Sequence, residues 1–301
     1  MTRRSFGRYV VEISNEDKVL FPGDGLTKGD LVVYYAEIAK TMLPHVRGRP
    51  VSMLRFPDGI DGDGFYQKDA PDYFPAWIER VRAEKEGGTV DHVVCGRTAD
   101  LAYLANQGCI TPHVWLSRKG ALEHPDLVVF DFDPSTEGFG EVRFAARAAR
   151  DLLEELGLAV YVQTTGSRGL HVVVPIRAEE GFDRVRAFAR DVAKVLSSRA
   201  PERLTTEQYK NKRGDRVYID TGRNAYAQTF APPYSVRPKP GAPVATPIDW
   251  DEVGGVTPRK YNILNVLRRL GQKGDPWSGM RKHARSLGAA WRRLEVMGGD
   301  G

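Results

Sequence analysis

The chain has 301 residues, with 44 Lys and Arg against 39 Asp and Glu, a formal charge of +5 and 41% hydrophobic residues. These values are ordinary for a globular chain of one large domain or two modest ones, and the basic excess alone names no partner. No apolar run is long enough to cross a bilayer and no secretory leader is evident, while the two cysteines, Cys95 and Cys109, lack paired ligand spacing; reduced thiols in a cytoplasmic protein are expected, with no membrane role and no structural zinc.

Residues 10–125 read as a mixed α/β part. Asn15, Lys18 and Lys28 frame a loop around Phe21-Pro22-Gly23, where two lysines and an amide suit a terminal phosphate; the plainer reading is a solvated charged loop. Thr27-Lys28-Gly29-Asp30 resembles a capping box and predicts a helix through Leu31, Tyr34, Tyr35 and Ile38. Val51 to Phe56, with Arg55, reads as a strand, and Asp58 to Gly64 as a turn. Phe65 and Tyr66 then face opposite ways on a strand, so one of them is expected in the core. An exposed one would stack a nucleobase, worth ~1–3 kcal/mol. A helix is predicted over Ala99 to Gln107. His113 begins a short strand, where a histidine is more often structural than catalytic.

From residue 127 the pattern becomes regular. Leu127-Val128-Val129-Phe130-Asp131-Phe132-Asp133-Pro134 is an apolar strand running into two aspartates spaced by two, hence on one face. Carboxylates so placed repel one another, and hard divalent cations relieve that at neutral pH better than protons do. A helix through Val142, Ala145, Ala149, Leu152 and Leu153 follows, with Gly157 as its stop. Strands at Ala159–Thr164 and Leu170–Pro175 come next, then a helix through Val185, Phe188, Ala189 and Val192, and a strand at Arg216–Asp220. The order is the βαββαβ arrangement of ferredoxin-like and RNA-recognition (RRM) folds.

In that topology the C-terminal ends of the first and last strands lie apart, which puts Asp220 at a distance from Asp131. Taken alone, Asp220 reads equally as the start of the turn at Thr221-Gly222. The turn from Thr164 to His171, with Thr165, Arg168 and two glycines, suits a triphosphate, although in isolation an ordinary hairpin is the plainer reading. Arg223 and Arg237 are further candidate phosphate partners. Pro232 to Pro247 wraps back over the fold, Thr257 and Pro258 predict a helix start, and the residues from Gly271 onward read as a loosely packed basic extension.

In combination these motifs resemble the polymerase domain of bacterial ATP-dependent ligase D, in the archaeo-eukaryotic primase superfamily. The resemblance runs from about Val11 to Val253. It rests on Asn15-Glu16-Asp17-Lys18, Phe65-Tyr66-Gln67-Lys68, Asp131-Phe132-Asp133-Pro134, Gly169-Leu170-His171, the strand ending in Asp220, and Tyr234-Ser235-Val236-Arg237. It implies an α/β (α+β) fold with a primase-like catalytic core, in which the RRM-like unit packs on the N-terminal mixed part. The expected division is a polymerase domain over 1–255 (10–125 mixed, 126–255 metal-binding) and a C-terminal helix and basic extension over 256–301.

The implied activity is template-dependent addition of nucleotides, ribonucleotides preferred over deoxyribonucleotides, to a primer 3′-hydroxyl at short gaps or broken ends. It would serve non-homologous end joining or excision-repair gap filling. Two divalent ions, manganese or magnesium, would be held by Asp131, Asp133 and Asp220. Thr165, Arg168, His171, Arg223 and Arg237 would meet the incoming NTP or dNTP, with His113 in the same active site. Asn15, Lys18 and Lys28 would take a downstream 5′-phosphate, and Phe65, Tyr66 and Arg55 the template. Implied partners are gapped or broken duplex DNA, Ku and a separate ATP-dependent ligase, in the nucleoid-associated cytoplasm of a bacterium. Three positions depart from the family pattern: Tyr66 where a second phenylalanine is usual, Thr165 for serine, and Arg168 for lysine. With no ligase or phosphoesterase module in the sequence, a stand-alone primase-polymerase is expected.

Two rivals predict different behaviour. Haloacid dehalogenase-type phosphatases also place an aspartate pair after an apolar strand, and Gly214-Asp215 with Asp220 mimics their late acidic motif; that reading makes Asp131 a phosphorylated nucleophile. A non-catalytic DNA-end-binding module would use the 5′-phosphate pocket without turnover.

Overall fold

The computed structural model describes residues 1–298, which form two compact units, each built from separated chain segments. The first takes in residues 1–120, 229–246 and 261–274, and the second 121–228, 247–260 and 275 to the end.

In the first unit, β1 (Thr2–Phe6) and β2 (Tyr9–Ile13) form a hairpin, followed by short β3 (Val19–Phe21) and β4 (Leu26–Thr27) and helix α1 (Lys28–Val46). The predicted capping box opens α1: the Asp30 amide donates to Thr27 Oγ1 at 3.2 Å, and Asp30 Oδ2 accepts from the Thr27 amide at 2.8 Å. Leu31, Tyr34, Tyr35 and Ile38 are buried as the periodicity requires. The two tyrosine hydroxyls find backbone partners, Tyr34 donating to the Tyr234 carbonyl at 2.8 Å and Tyr35 to that of Ile110 at 2.6 Å.

The sheet of this unit contains β5 (Pro50–Arg55), β6 (Phe65–Gln67), β7 (Glu79–Lys85), β8 (Gly88–Val94) and β9 (Cys109–Trp115), with α2 (Thr98–Asn106) before β9. The strand at Thr229–Phe230 flanks β9, then β5, β8 and β7 follow in order, and β6 pairs with β5. Cys95 and Cys109 are free and buried.

The second unit is the expected alternation of β10 (Leu127–Asp133), α3 (Gly140–Glu155), β11 (Tyr161–Thr164), β12 (Leu170–Pro175), α4 (Phe182–Arg199) and β14 (Val217–Asp220), plus a two-residue strand, β13 (Leu204–Thr205), absent from the sequence reading. The sheet order is β13-β14-β10-β12-β11, with Thr246–Ile248 beside β11. Four strands in the order last-first-third-second match the ferredoxin-like arrangement. Cross-strand partners Phe132↔Leu170, Phe130↔Val172 and Phe132↔Ile219 make one face of this sheet apolar and fully buried, and α3 and α4 pack on these strands.

Two expectations about the C-terminal part are corrected. Thr257 caps no helix: residues 257–260 turn, Val244 N–H donates to the Tyr261 carbonyl at 2.9 Å, and the helix starts only at Val266, running to Lys273. The cap-like Thr-Pro pair is overridden because the following backbone is recruited into bridges with Pro243 and Val244. Nor is the tail loose. Trp277 is 2% exposed and donates its indole N–H to the Val162 carbonyl at 3.1 Å. Leu287, Ala290 and Leu294 are buried along a last helix, Leu287–Gly298, and the Trp291 ring meets that of Phe188 of α4 at a tilt of 55°, centroids 5.8 Å apart.

Candidate active site

The polar face of the second sheet is set by register. Asp131 on β10 lies directly opposite Asp220 on β14 and, on its other side, directly opposite His171 on β12. Directly opposed residues share a face, and Asp133, two residues on, joins them. The topological objection to this convergence dissolves in the register. The strand order is the one expected, but β14 is short and pairs only with Asp131, Phe132 and Asp133, so its last residue meets Asp131 instead of running past it. What lets β14 stop there is Asn224. Its side-chain Oδ1 accepts from the Val129 N–H at 2.9 Å and its Nδ2 donates to the Val129 carbonyl at 2.7 Å, replacing the backbone partner that a longer strand would supply. Nothing in the sequence marks Asn224, whose fully buried side chain meets Val129 across 95 positions.

Asp220 starts the turn and also lies on the face of Asp131. Its Oδ1 accepts from the Gly222 amide at 2.7 Å, starting the turn, while Oδ2 lies 4.0 Å from Arg223 Nε. Asp131 Oδ2 is 3.4 Å from His171 Nε2. Asp133 is pushed up to about 6, first by burial and then by the Asp131 charge, with Asp220 adding to the push and Arg168 and His171 opposing it. Burial and the neighbouring carboxylates together outweigh the nearby cations at Asp133, and three hard oxygen donors on one face are a fitting donor set for divalent ions.

The turn before His171 is held by Thr165. Its Oγ1 accepts from the amides of Ser167 at 3.2 Å and Gly169 at 3.1 Å. Gly166 sits at φ +65°, and a Cβ on Gly169 would come within 2.2 Å of the Phe132 carbonyl oxygen, so the approach of this turn to β10 requires glycine. Arg168 is exposed at the tip.

In the first unit, Lys28 N–H donates to the Lys18 carbonyl at 2.8 Å and Lys18 N–H to that of Asn15 at 3.1 Å, with Asn15 at φ 47°. The buried Lys28 ammonium donates to Ser14 Oγ at 3.1 Å, and burial followed by the Lys18 charge holds it below the usual lysine range. Lys18 Nζ donates to Asp58 at 2.6 Å. Thus Asn15, Lys18 and Lys28 are together. The aromatic pair departs from expectation: Phe65 and Tyr66 are 46% and 56% exposed, so neither is core, because β6 pairs with β5 and leaves both side chains outside. Arg55 lies over the Phe65 ring at 5.6 Å and donates through Nε to the Gln107 carbonyl at 2.8 Å. His113 is within β9, where its Nε2 lies 3.4 Å from the Tyr66 hydroxyl. Arg237, also in this unit, donates its backbone N–H to the Pro243 carbonyl at 2.7 Å.

Another acidic group, Asp249, Asp251 and Glu252, brings ligand atoms within 4.8 Å of one another. It is accounted for by a capping box on a 3₁₀ turn, in which Glu252 accepts from the Asp249 amide at 3.0 Å. Among the described residues no helix is long and apolar enough to cross a membrane.

The four central strands, antiparallel in this order and carrying three aspartates on their polar face, have the archaeo-eukaryotic primase fold of the ligase D polymerase domain. A family model described as the LigD primase-polymerase domain matches residues 27–277, and the chain belongs to that family. It is 34% identical over 282 residues to the multifunctional non-homologous end joining protein LigD of Mycolicibacterium smegmatis, covering 91% of this chain and 37% of that protein. It is 29% identical to the bifunctional LigD of Bacillus subtilis, over 89% of this chain and 43% of that protein. It therefore spans well under half the length of these curated relatives. The polymerase domain of Mycobacterium tuberculosis ligase D, solved in complex with DNA, superposes with a TM-score of 0.85 at 32% identity, covering 91% of this chain and 99% of that one. The phosphatase and the non-catalytic binding module are accordingly not favoured.

Proposed function

We propose that this chain fills short gaps or extends broken ends in duplex DNA, adding nucleotides to a primer 3′-hydroxyl opposite a template, with ribonucleotides preferred. The observation that carries the reading is the meeting of Asp131, Asp133 and Asp220 on one face across β10 and β14, with Asp133 driven up by burial and by the Asp131 charge.

Asp131, Asp133 and Asp220 would hold two divalent ions, manganese by preference. When bound, such ions supply Lewis acidity that activates the 3′-hydroxyl and steadies the leaving pyrophosphate. His171, Arg168 and Arg223 stabilise charge on the phosphate oxygens, the Thr165 turn carrying Arg168 and leading into His171. The family resemblance gives His113 and Arg237 roles at the nucleotide. Asn15, Lys18 and Lys28 bind a downstream 5′-phosphate: two ammoniums that already oppose one another gain from an anion. Phe65, Tyr66 and Arg55 stack on the template, which fits the exposure of both rings.

On this reading residues 1–255 are the polymerase module, 10–125 facing DNA and 126–255 carrying the carboxylates, and 256–301 are a C-terminal extension of which Trp277 and Trp291 pack on the second unit. Its setting is the nucleoid of a bacterial cytoplasm, in end joining with Ku and a ligase or in excision-repair gap filling. Primer extension on a 5′-phosphorylated one-nucleotide gap, with manganese and each NTP or dNTP, tests it. Template-matched addition favouring NTPs is expected; hydrolysis of an aryl phosphate without extension would support the phosphatase, and tight gap binding without turnover the binding module.

A further inference from the structure

The row that contains Asp220, Asp131 and His171 does not end at His171. Gln163 on β11 is the direct cross-strand partner of His171, so four neighbouring strands contribute four polar side chains in one line: Gln163, His171, Asp131 and Asp220. Gln163 is 0% exposed and His171 4%. A primary amide in the middle of a buried strand is costly unless it is engaged. Here its Nε2 lies 2.9 Å from His171 Nδ1.

The two sides of the imidazole make the same demand. An amide N–H has only a proton to offer Nδ1, so Nδ1 accepts. A carboxylate has only lone pairs to offer Nε2, and Asp131 Oδ2 lies 3.4 Å from it, so Nε2 carries the hydrogen. In a neutral histidine the proton on one nitrogen is set by the bond made at the other. A carboxylate that binds metal is itself aimed by the donors it accepts from.

We infer that Gln163 is a positioning residue of the nucleotidyl-transfer site: by donating to His171 Nδ1 it fixes the tautomer that presents an Nε2–H to Asp131 and to the phosphate face beside it. Its consequence for turnover rests on the polymerase reading; the tautomer does not. Gln163 acts through His171. The sequence signal was slight, a glutamine alternating in phase with Tyr161 and Thr165 on a short strand.

The test is the ring ¹⁵N spectrum of the full chain labelled at histidine, with His171 assigned from the His171→Asn spectrum and read at about pH 8, where neutral imidazole is the reference form. The wild type is expected in the Nε2–H form. Gln163→Glu presents only acceptors and is expected to move the proton to Nδ1; Gln163→Met, of similar volume and without a donor, is expected to give a mixture. On gapped DNA both variants should lose about tenfold or more in kcat/KM for the nucleotide while DNA affinity stays within about twofold. An Nδ1–H form in the wild type overturns the inference even if no variant folds. So does an unchanged Nε2–H form in a folded Gln163→Glu, or equal loss of nucleotide and DNA affinity. A wild type that shows the expected tautomer and extends no primer would instead remove the polymerase reading and leave the tautomer assignment standing.

Discussion

Asp131 and Asp220 are direct antiparallel partners, although they come from the first and last strands of a βαββαβ unit whose C-terminal ends normally lie apart. The short β14 and the Asn224 amide that continues its pairing are what bring them together. With Asp133 alongside, three carboxylates share one face, and burial together with the Asp131 charge opposes the ionisation of Asp133. Asp133→Ala should therefore lower primer extension by about a thousandfold or more, as expected when two-metal chemistry loses a ligand, and leave binding to gapped DNA within about twofold by fluorescence anisotropy.

The pH dependence follows from Asp133. Its folded value, about 6, lies above the ordinary carboxylate value, so the folded protein holds an extra proton through that window and stability without metal falls as pH rises across it. Asp133→Asn should then stabilise the metal-free protein at about pH 7.5, by on the order of 2 kcal/mol, and have little effect near pH 4. Manganese should raise the wild-type Tm more at about pH 7.5 than at about pH 5.5, since the ion competes with that proton. Differential scanning fluorimetry at the two pH values checks both.

Lys28 is buried beside Lys18 and held below its usual range. Lys28→Ala should weaken binding to a gap with a downstream 5′-phosphate roughly tenfold, about 1.4 kcal/mol, and binding to the 5′-hydroxyl gap far less. It should also flatten the salt dependence of the phosphorylated complex. Equal loss on both substrates would remove the pocket assignment.

Tyr66 stands where the family pattern has phenylalanine, and its hydroxyl lies 3.4 Å from His113 Nε2. Tyr66→Phe keeps the ring and removes that contact, so template affinity should hold within about twofold while the nucleotide KM changes. Phe65→Ala should cost DNA affinity instead, by about 1–3 kcal/mol if the ring stacks a base.

Asn224→Ala would leave both backbone groups of Val129 buried without their side-chain partner. A loss of about 2–4 kcal/mol in urea denaturation is expected, together with a fall in manganese affinity as β14 frays away from Asp131.

What was legible in the sequence was local. The capping box at Thr27, the strand that ends in Asp131 and Asp133, and the glycine turn before His171 each declare themselves within a few residues, because the periodicity, caps and φ preferences that produce them act over that range. What was not legible depended on distant pairing. The three-residue overlap of β10 and β14 has no local signature, and Asn224 meets Val129 across 95 positions. The misread helix at Thr257 is the same lesson reversed: good cap residues were present, but their neighbours' backbone groups went to Pro243 and Val244. The tail looked loose because glycines, a proline and basic residues interrupt its apolar ones, yet Trp277, Leu287 and Leu294 suffice to anchor it.

The most direct measurement is anomalous diffraction from crystals grown with gapped DNA and a non-hydrolysable nucleotide and soaked in manganese. Peaks are expected within coordination distance of Asp131, Asp133 and Asp220. No peak at that trio, with manganese found instead at Asp249, Asp251 and Glu252, would contradict it.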